Sequence, residues 1–204
     1  MGSPHVSKIF VLSVISALTV VILVAISSLD IKETQSISTL NKTVSSVTKF
    51  ESQFNSIIDH TEYIMLLMAS RIKENNDLEF ISELLAQYQD SNNNSLFWTT
   101  FSWTNPEQQI IVDSIYGIMD KPVDLSFRGY MPNTITEPYR LHLSQPGTGT
   151  TSKEWMMPGG IGIQDEKGNY MGVLAIGFDI KKMAAKLKKS VGDNNITFYL
   201  MDND

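Results

Sequence analysis

The amino-acid sequence predicts an α+β fold made of an N-terminal transmembrane helix, a long amphipathic helix and an antiparallel sheet. Three observations carry this expectation. Residues 9–29 form an uncharged, largely apolar run of 21 residues. From residue 34 to about 73, apolar residues recur mostly at steps of three and four, the helical period. Beyond Leu96 the chain changes to short runs rich in β-branched and aromatic residues, broken by Asn, Pro and Gly, which is the texture of strands and turns. With 204 residues and 42% hydrophobic composition, the chain suits one domain of ordinary size and an appended segment.

Composition narrows function before any motif does. A formal net charge of −6 provides no field for a polyanion, so nucleic acid is not expected as a partner. Cysteine is absent, which excludes disulfides, thiolate metal sites and Cys nucleophiles. His5, His60 and His142 lie far apart with no ligand spacing, and no metal site is expected. The sequence has no HExxH, no paired carboxylates at readable spacing and no nucleophile with a His-acid partnership, so neither a catalytic residue nor a cofactor is expected.

Taken in order, residues 1–8 read as a short cytoplasmic flank and 9–29 as a signal anchor. At about 1.5 Å per residue, that run reaches across the roughly 30 Å of a bilayer's hydrocarbon core. Lys8 precedes it while Asp30 and Glu33 follow, which orients the remainder of the chain to the outside of the cytoplasm. Ala25-Ile26-Ser27 also admits a cleaved signal, and a buried soluble helix is a third reading, but the length of the run favours an uncleaved anchor.

Residues 30–76 form the stalk and packing helix. Its early stripe of Ile37, Leu40, Val44 and Val47 is narrow enough for a seam between two copies, so a homodimer is a candidate assembly. Its later face, with Tyr63, Ile64, Met65, Leu67 and Met68, widens as a helix does where it packs on a sheet. Asn76 with Glu79 three residues on has the form of a capping box opening a second helix with Leu78, Ile81, Leu84, Leu85 and Tyr88 on one face. Residues 96–103 and 109–118 then read as a hairpin about Asn105-Pro106. The stretch 119–149 carries Pro122, Pro132, Pro138 and Pro146 and reads as a long loop able to cover a ligand. Strands return at 153–157, 160–164 and 170–178, with Gly168 in the tight turn, and Gly159-Gly160-Ile161-Gly162 reads as a strand-entry turn. A lysine-rich helix at 180–190 has the pattern of a solvated face, and 196–201 begins another strand.

This order of helix, hairpin, loop, hairpin and helix behind an anchor resembles the extracytoplasmic Cache sensor domains, the PAS-like modules of bacterial histidine kinases, chemoreceptors and cyclic-dinucleotide enzymes. The resemblance covers about residues 34–204. It rests on Trp103, Val112-Asp113-Ser114, the stretch 124–130 with Arg128 and Tyr130, Leu143 to Pro146, the stretch 163–173, and Gly177-Phe178-Asp179-Ile180. It implies a sensor domain over residues 77–190, with a PAS-like antiparallel sheet cradling a small molecule and the N-terminal helix transmitting the signal. Placement in the inner (cytoplasmic) membrane, single-pass with the bulk periplasmic, follows, with the lipid membrane as a partner and a kinase or cyclase output domain missing from this chain. Residues 191–204 then resemble the truncated start of a second, membrane-proximal module, the chain being a fragment or a shortened gene product. The amino-acid-binding subset pairs its Arg with a Trp and Tyr close behind. Here Gly129, Tyr130 and Met131 follow Arg128, which leaves an amino-acid ligand unsupported.

Six residues are candidate ligand contacts. Arg128 can hold a carboxylate bidentately beside the Tyr130 phenol, or pair structurally with Asp124 or Asp113. Trp103 and Trp155 can pack a ligand's apolar part, although strand tryptophans more often fill a core. Asp113 can accept from an ammonium or shape a turn. Tyr139, beside Arg140, can assist or simply be exposed. The function expected is therefore that of a membrane-bound receptor's sensing domain, binding a small molecule such as an organic acid. The alternatives are a membrane-anchored structural or oligomerisation protein, and an anchored hydrolase.

Overall fold

The computed structural model describes residues 38–90 and 97–189 with their side chains, together with the helical backbone of 4–37, 91 and 190–191. The expected anchor at 9–29 lies outside the residues whose side chains are described, and the expected strand at 196–201 lies outside the described residues altogether. Among the described residues no helix is long and apolar enough to cross a membrane.

The three-four period continues into a single helix, α1 (Pro4–Glu74), which no Gly or Pro interrupts after its first residue. Arg71 and Lys73 in its last turn complement the negative end of the helix dipole. Residues 38–49 are exposed apart from Ser46, with Leu40, Val44 and Val47 at the surface. From Phe50 the helix belongs to one compact unit with the described residues that follow it. There, Thr61, Met65, Met68, Ala69 and Ile72 form a buried stripe. Tyr63 and Leu67, expected on the packing face, are instead exposed, Leu67 by 41%. The cause is angular. Each residue advances about 100°, so positions two before and two after Met65 fall on the far side of the helix from it.

The second helix, α2 (Leu78–Ser91), buries Ile81, Leu84 and Leu85 as its period predicts. Its cap is Asp77, one residue later than the expected Asn76. The Asp77 Oδ1 accepts the backbone N–H of Glu79 at 3.0 Å and of Phe80 at 3.1 Å, satisfying two donors that the first turn leaves unpaired.

Among the described residues seven strands follow: β1 (Trp98–Thr104), β2 (Gln109–Asp113), β3 (Gly117–Asp124), β4 (His142–Leu143), β5 (Gly147–Thr148), β6 (Trp155–Gln164) and β7 (Tyr170–Asp179). They form one antiparallel sheet in the order β3-β2-β1-β7-β6-β4, with β5 also paired to β6. The hairpin about Asn105 forms as expected, Asn105 Oδ1 accepting the Gln109 N–H at 2.9 Å. Gly168 supplies the positive φ, +80°, of the β6–β7 turn. Three expectations fail here. The run 109–118 is not one strand: a turn at 114–116, closed on Asp113, divides it between β2 and β3. The stretch 119–149 is not one loop, because β3 occupies its start and α3 (Met131–Thr136), β4 and β5 its remainder. Nor does a turn divide 153–164: β6 runs unbroken through Gly159, Gly160 and Gly162. Helix α4 (Ile180–Val191) closes the order, burying Met183 and Leu187 and leaving its lysines outward.

Strand alternation divides the sheet into two unlike faces. Phe101, Trp103, Ile161, Ile163, Leu174 and Phe178 pack with α1 and α2 in the main core. Trp98 joins that side, its indole N–H donating to Thr61 Oγ1 at 3.0 Å. The other face carries Thr100, Ser102 and Thr104 on β1 and Val173, Ala175 and Gly177 on β7. A smaller cluster of Ile110, Leu125, Tyr130, Met131, Val173 and Ala175 packs there.

Candidate functional site

On the face away from α1 and α2, the small side chains of β1, β6 and β7 leave a cleft of about 340 Å³, counting the part open to solvent. Its floor is Thr100, Ser102, Pro158, Ala175 and Gly177, and its walls come from the segments before α3 and around β5, through Leu125, Arg128, Tyr130, Thr150 and Thr151. Glycine makes the approach possible. A Cβ at Gly160 would stand 2.8 Å from the Tyr130 ring, and one at Gly162 would stand 1.9 Å from the Thr134 carbonyl oxygen. The wall carrying Tyr130 and α3 therefore rests directly on the backbone of β6.

Arg128 is the only cationic side chain among the cleft's lining residues. One of its terminal nitrogens donates to the Thr148 carbonyl at 2.7 Å and to Thr150 Oγ1 at 2.9 Å, and its guanidinium lies 5.0 Å from the centre of the Phe127 ring. Among the described residues it pairs with no carboxylate. The ion pairs with Asp124 or Asp113 considered from the sequence do not form. Asp124 instead accepts the Ser126 N–H at 2.9 Å, and hydrogen bonds from Ser126 hold its carboxyl below the ordinary value. Tyr130 is buried beneath Arg128, and that burial pushes its phenol up, with the nearby guanidinium pulling weakly the other way. It stays neutral across the physiological range.

Asp113 stands behind the hydroxyl floor, fully buried. Register explains this: Ser102 pairs with Asp113, so the two side chains share a face. The same register pairs Trp103 with Val112 and sends the Trp103 indole to the opposite face, into the helix-packed core. Trp155, at the start of β6, is 58% exposed and is not among the lining residues. Tyr139 is also off the cleft; it adopts φ +61° and its hydroxyl donates to the Gln164 carbonyl at the far end of β6. Of the six candidates, the structure thus brings Arg128 and Tyr130 together at the cleft with Asp113 immediately behind it, and places Trp103, Trp155 and Tyr139 elsewhere. Sequence reading missed Thr100, Ser102, Thr150 and Thr151. The alternation of hydroxyl and aromatic residues from Thr100 to Trp103 was the available signal.

The fold defines a class. No protein-family model matches the sequence, and comparison with curated proteins finds no match. Its fold is similar to those of solved extracellular and ligand-binding domains. The extracellular domain of rpHK1S-Z16, assigned as a histidine kinase, superposes with a TM-score of 0.60 at 16% identity, over 71% of this chain and 58% of that one. The ligand-binding domain of the Pseudomonas aeruginosa amino acid chemoreceptor PctC, solved with GABA, gives 0.56 at 17% identity, over 69% and 63%. An extracellular ligand binding receptor from Desulfohalobium retbaense gives 0.59 at 13%, over 73% and 27%. This chain therefore spans under two thirds of the length of each of these neighbours.

Proposed function

We propose that the chain is the extracytoplasmic sensing domain of a membrane-bound signal-transduction receptor, doing no chemistry itself, with the cleft beside Arg128 receiving a small organic acid. One observation carries the reading: a half-buried guanidinium at the cleft has five donors, two short bonds to neutral oxygens and, among the described residues, no carboxylate partner. A ligand carboxylate can accept charge-assisted hydrogen bonds from the remaining donors, on Nε and the other terminal nitrogen. The neighbours named as an extracellular domain of a histidine kinase and a ligand-binding domain of a chemoreceptor support a sensing role, and the apolar run at 9–29 supports a single-pass anchor in the cytoplasmic membrane. Occupancy shifts the population of the unit's conformations, and α1, which contributes to its core and continues toward that run, conveys the shift. Pairing of two copies along the stripe at Leu40, Val44 and Val47, a kinase or cyclase as output, and the borders at residues 30, 77 and 191 belong to the same proposal.

The test is a thermal-shift screen of small mono- and dicarboxylates on the detergent-solubilised chain and its Arg128→Ala variant. A carboxylate that raises the Tm of the parent should bind the variant about tenfold or more weakly, since a charge-assisted hydrogen bond contributes roughly 1.5–3 kcal/mol. Equal stabilisation of both proteins would remove Arg128 from the site.

A further inference from the structure

Resting on the carboxylate reading of the cleft, a second feature bears on what that cleft selects. The Asp113 Oδ1 accepts the backbone N–H groups of Ile115 at 2.9 Å and Tyr116 at 3.4 Å, closing the turn into β3. Its Oδ2 faces three hydroxyls, those of Ser102 at 2.9 Å, Thr151 at 3.0 Å and Thr100 at 3.3 Å. Among the described residues no cation pairs with it. A hydroxyl has one proton and two lone pairs, whereas an ionised carboxylate can only accept. A hydroxyl can therefore bond to Asp113 only by giving it its proton. Thr100 has other acceptors within reach, the Phe101 carbonyl among them at 3.3 Å, but among the described residues Ser102 and Thr151 have Asp113 alone. What these two turn toward the cleft is lone pairs.

We infer that Asp113 is a specificity-determining residue that never touches the ligand: it makes the hydroxyl wall acceptor-only in a cleft whose Arg128 is donor-only. The cleft accordingly selects carboxylates that also carry an N–H or O–H donor over isosteres that lack one. A site built to receive a donor rejects the analogue without it, because its own buried acceptors are then left unpaired. Electrostatics act in the same direction, the buried carboxylate favouring positive or proton-bearing groups at that wall.

The experiment is calorimetric titration of the detergent-solubilised full chain with propionate and its 2-hydroxy and 2-amino analogues, lactate and alanine. At least one donor-bearing acid should bind about tenfold or more tightly than propionate. In Asp113→Asn the amide donates to the hydroxyls and frees their protons, so this ratio should fall toward one while propionate binding still depends on Arg128. Thr151→Val removes one oriented hydroxyl and leaves the turn bonds of Asp113 intact, so it should lower the ratio even if Asp113→Asn does not fold. Equal binding of all three acids by the parent, with loss of all in Arg128→Ala, overturns the role of Asp113 and leaves the carboxylate site standing. An unchanged ratio in both Asp113→Asn and Thr151→Val overturns it too. Absence of binding by any of the acids, or binding indifferent to Arg128→Ala, overturns the carboxylate reading and this inference with it.

Discussion

Gly162 shows how a single missing side chain shapes the site. The space its Cβ would take is held by the Thr134 carbonyl, 1.9 Å away, and that carbonyl belongs to the backbone of α3, which cannot rotate aside as a side chain would. Gly162→Ala should therefore destabilise the protein by about 1–3 kcal/mol or more through overpacking, read as a lower denaturant midpoint with the slope unchanged. It should also weaken carboxylate binding, because α3 directly follows the segment holding Arg128 and Tyr130. A neutral substitution would mean that the wall is not seated on β6. Parity is the other lesson at this scale. Trp103 and Asp113 both looked suited to a pocket, yet a register that pairs Ser102 with Asp113 necessarily puts Trp103 on the other face. Residue chemistry was legible in the sequence; which strand positions stand opposite each other was not.

Among the elements, α1 separates period from phase. Its three-four repeat announced a helix from residue 34 to about 73, but the buried stripe runs Thr61, Met65, Met68, Ala69 and Ile72, and the apolar Tyr63 and Leu67 lie outside it. The widened apolar face seemed to include them because residue type does not reveal which side the sheet takes. Met68→Ala should cost about 2–5 kcal/mol, since Met68 is fully buried in the main core, whereas Leu67→Ala should cost close to nothing. Chemical denaturation of the two variants side by side checks this. A large loss at Leu67 together with a small one at Met68 would reverse the face assignment. Strand β6 offers the complementary case: its glycines read as a turn, and they are the places in a continuous strand where another backbone or ring comes close. Glycine as punctuation and glycine as clearance are the same letter, and only the chain packed over it tells them apart.

For the whole molecule, the α+β order, the hairpin at Asn105, the turn at Gly168 and the closing lysine-rich helix were readable because each rests on local chemistry. The cleft was only half readable. Arg128 and Tyr130 announced themselves as a polar pair in a proline-bearing stretch, but the strap at Thr148 to Thr151 that completes it reaches them across about twenty positions of sequence. Such a contact leaves no periodic trace. The central claim is that a carboxylate occupies this cleft with Arg128 as its anchor. The most direct measurement is a crystal structure of the chain with the best-stabilising acid from the thermal-shift screen. The account predicts the ligand's carboxylate within hydrogen-bond distance of the Arg128 guanidinium, above the floor of Ser102 and Ala175 and beside Tyr130. A ligand bound on the helix-packed face, or bound in the cleft with its carboxylate turned away from Arg128, would contradict it.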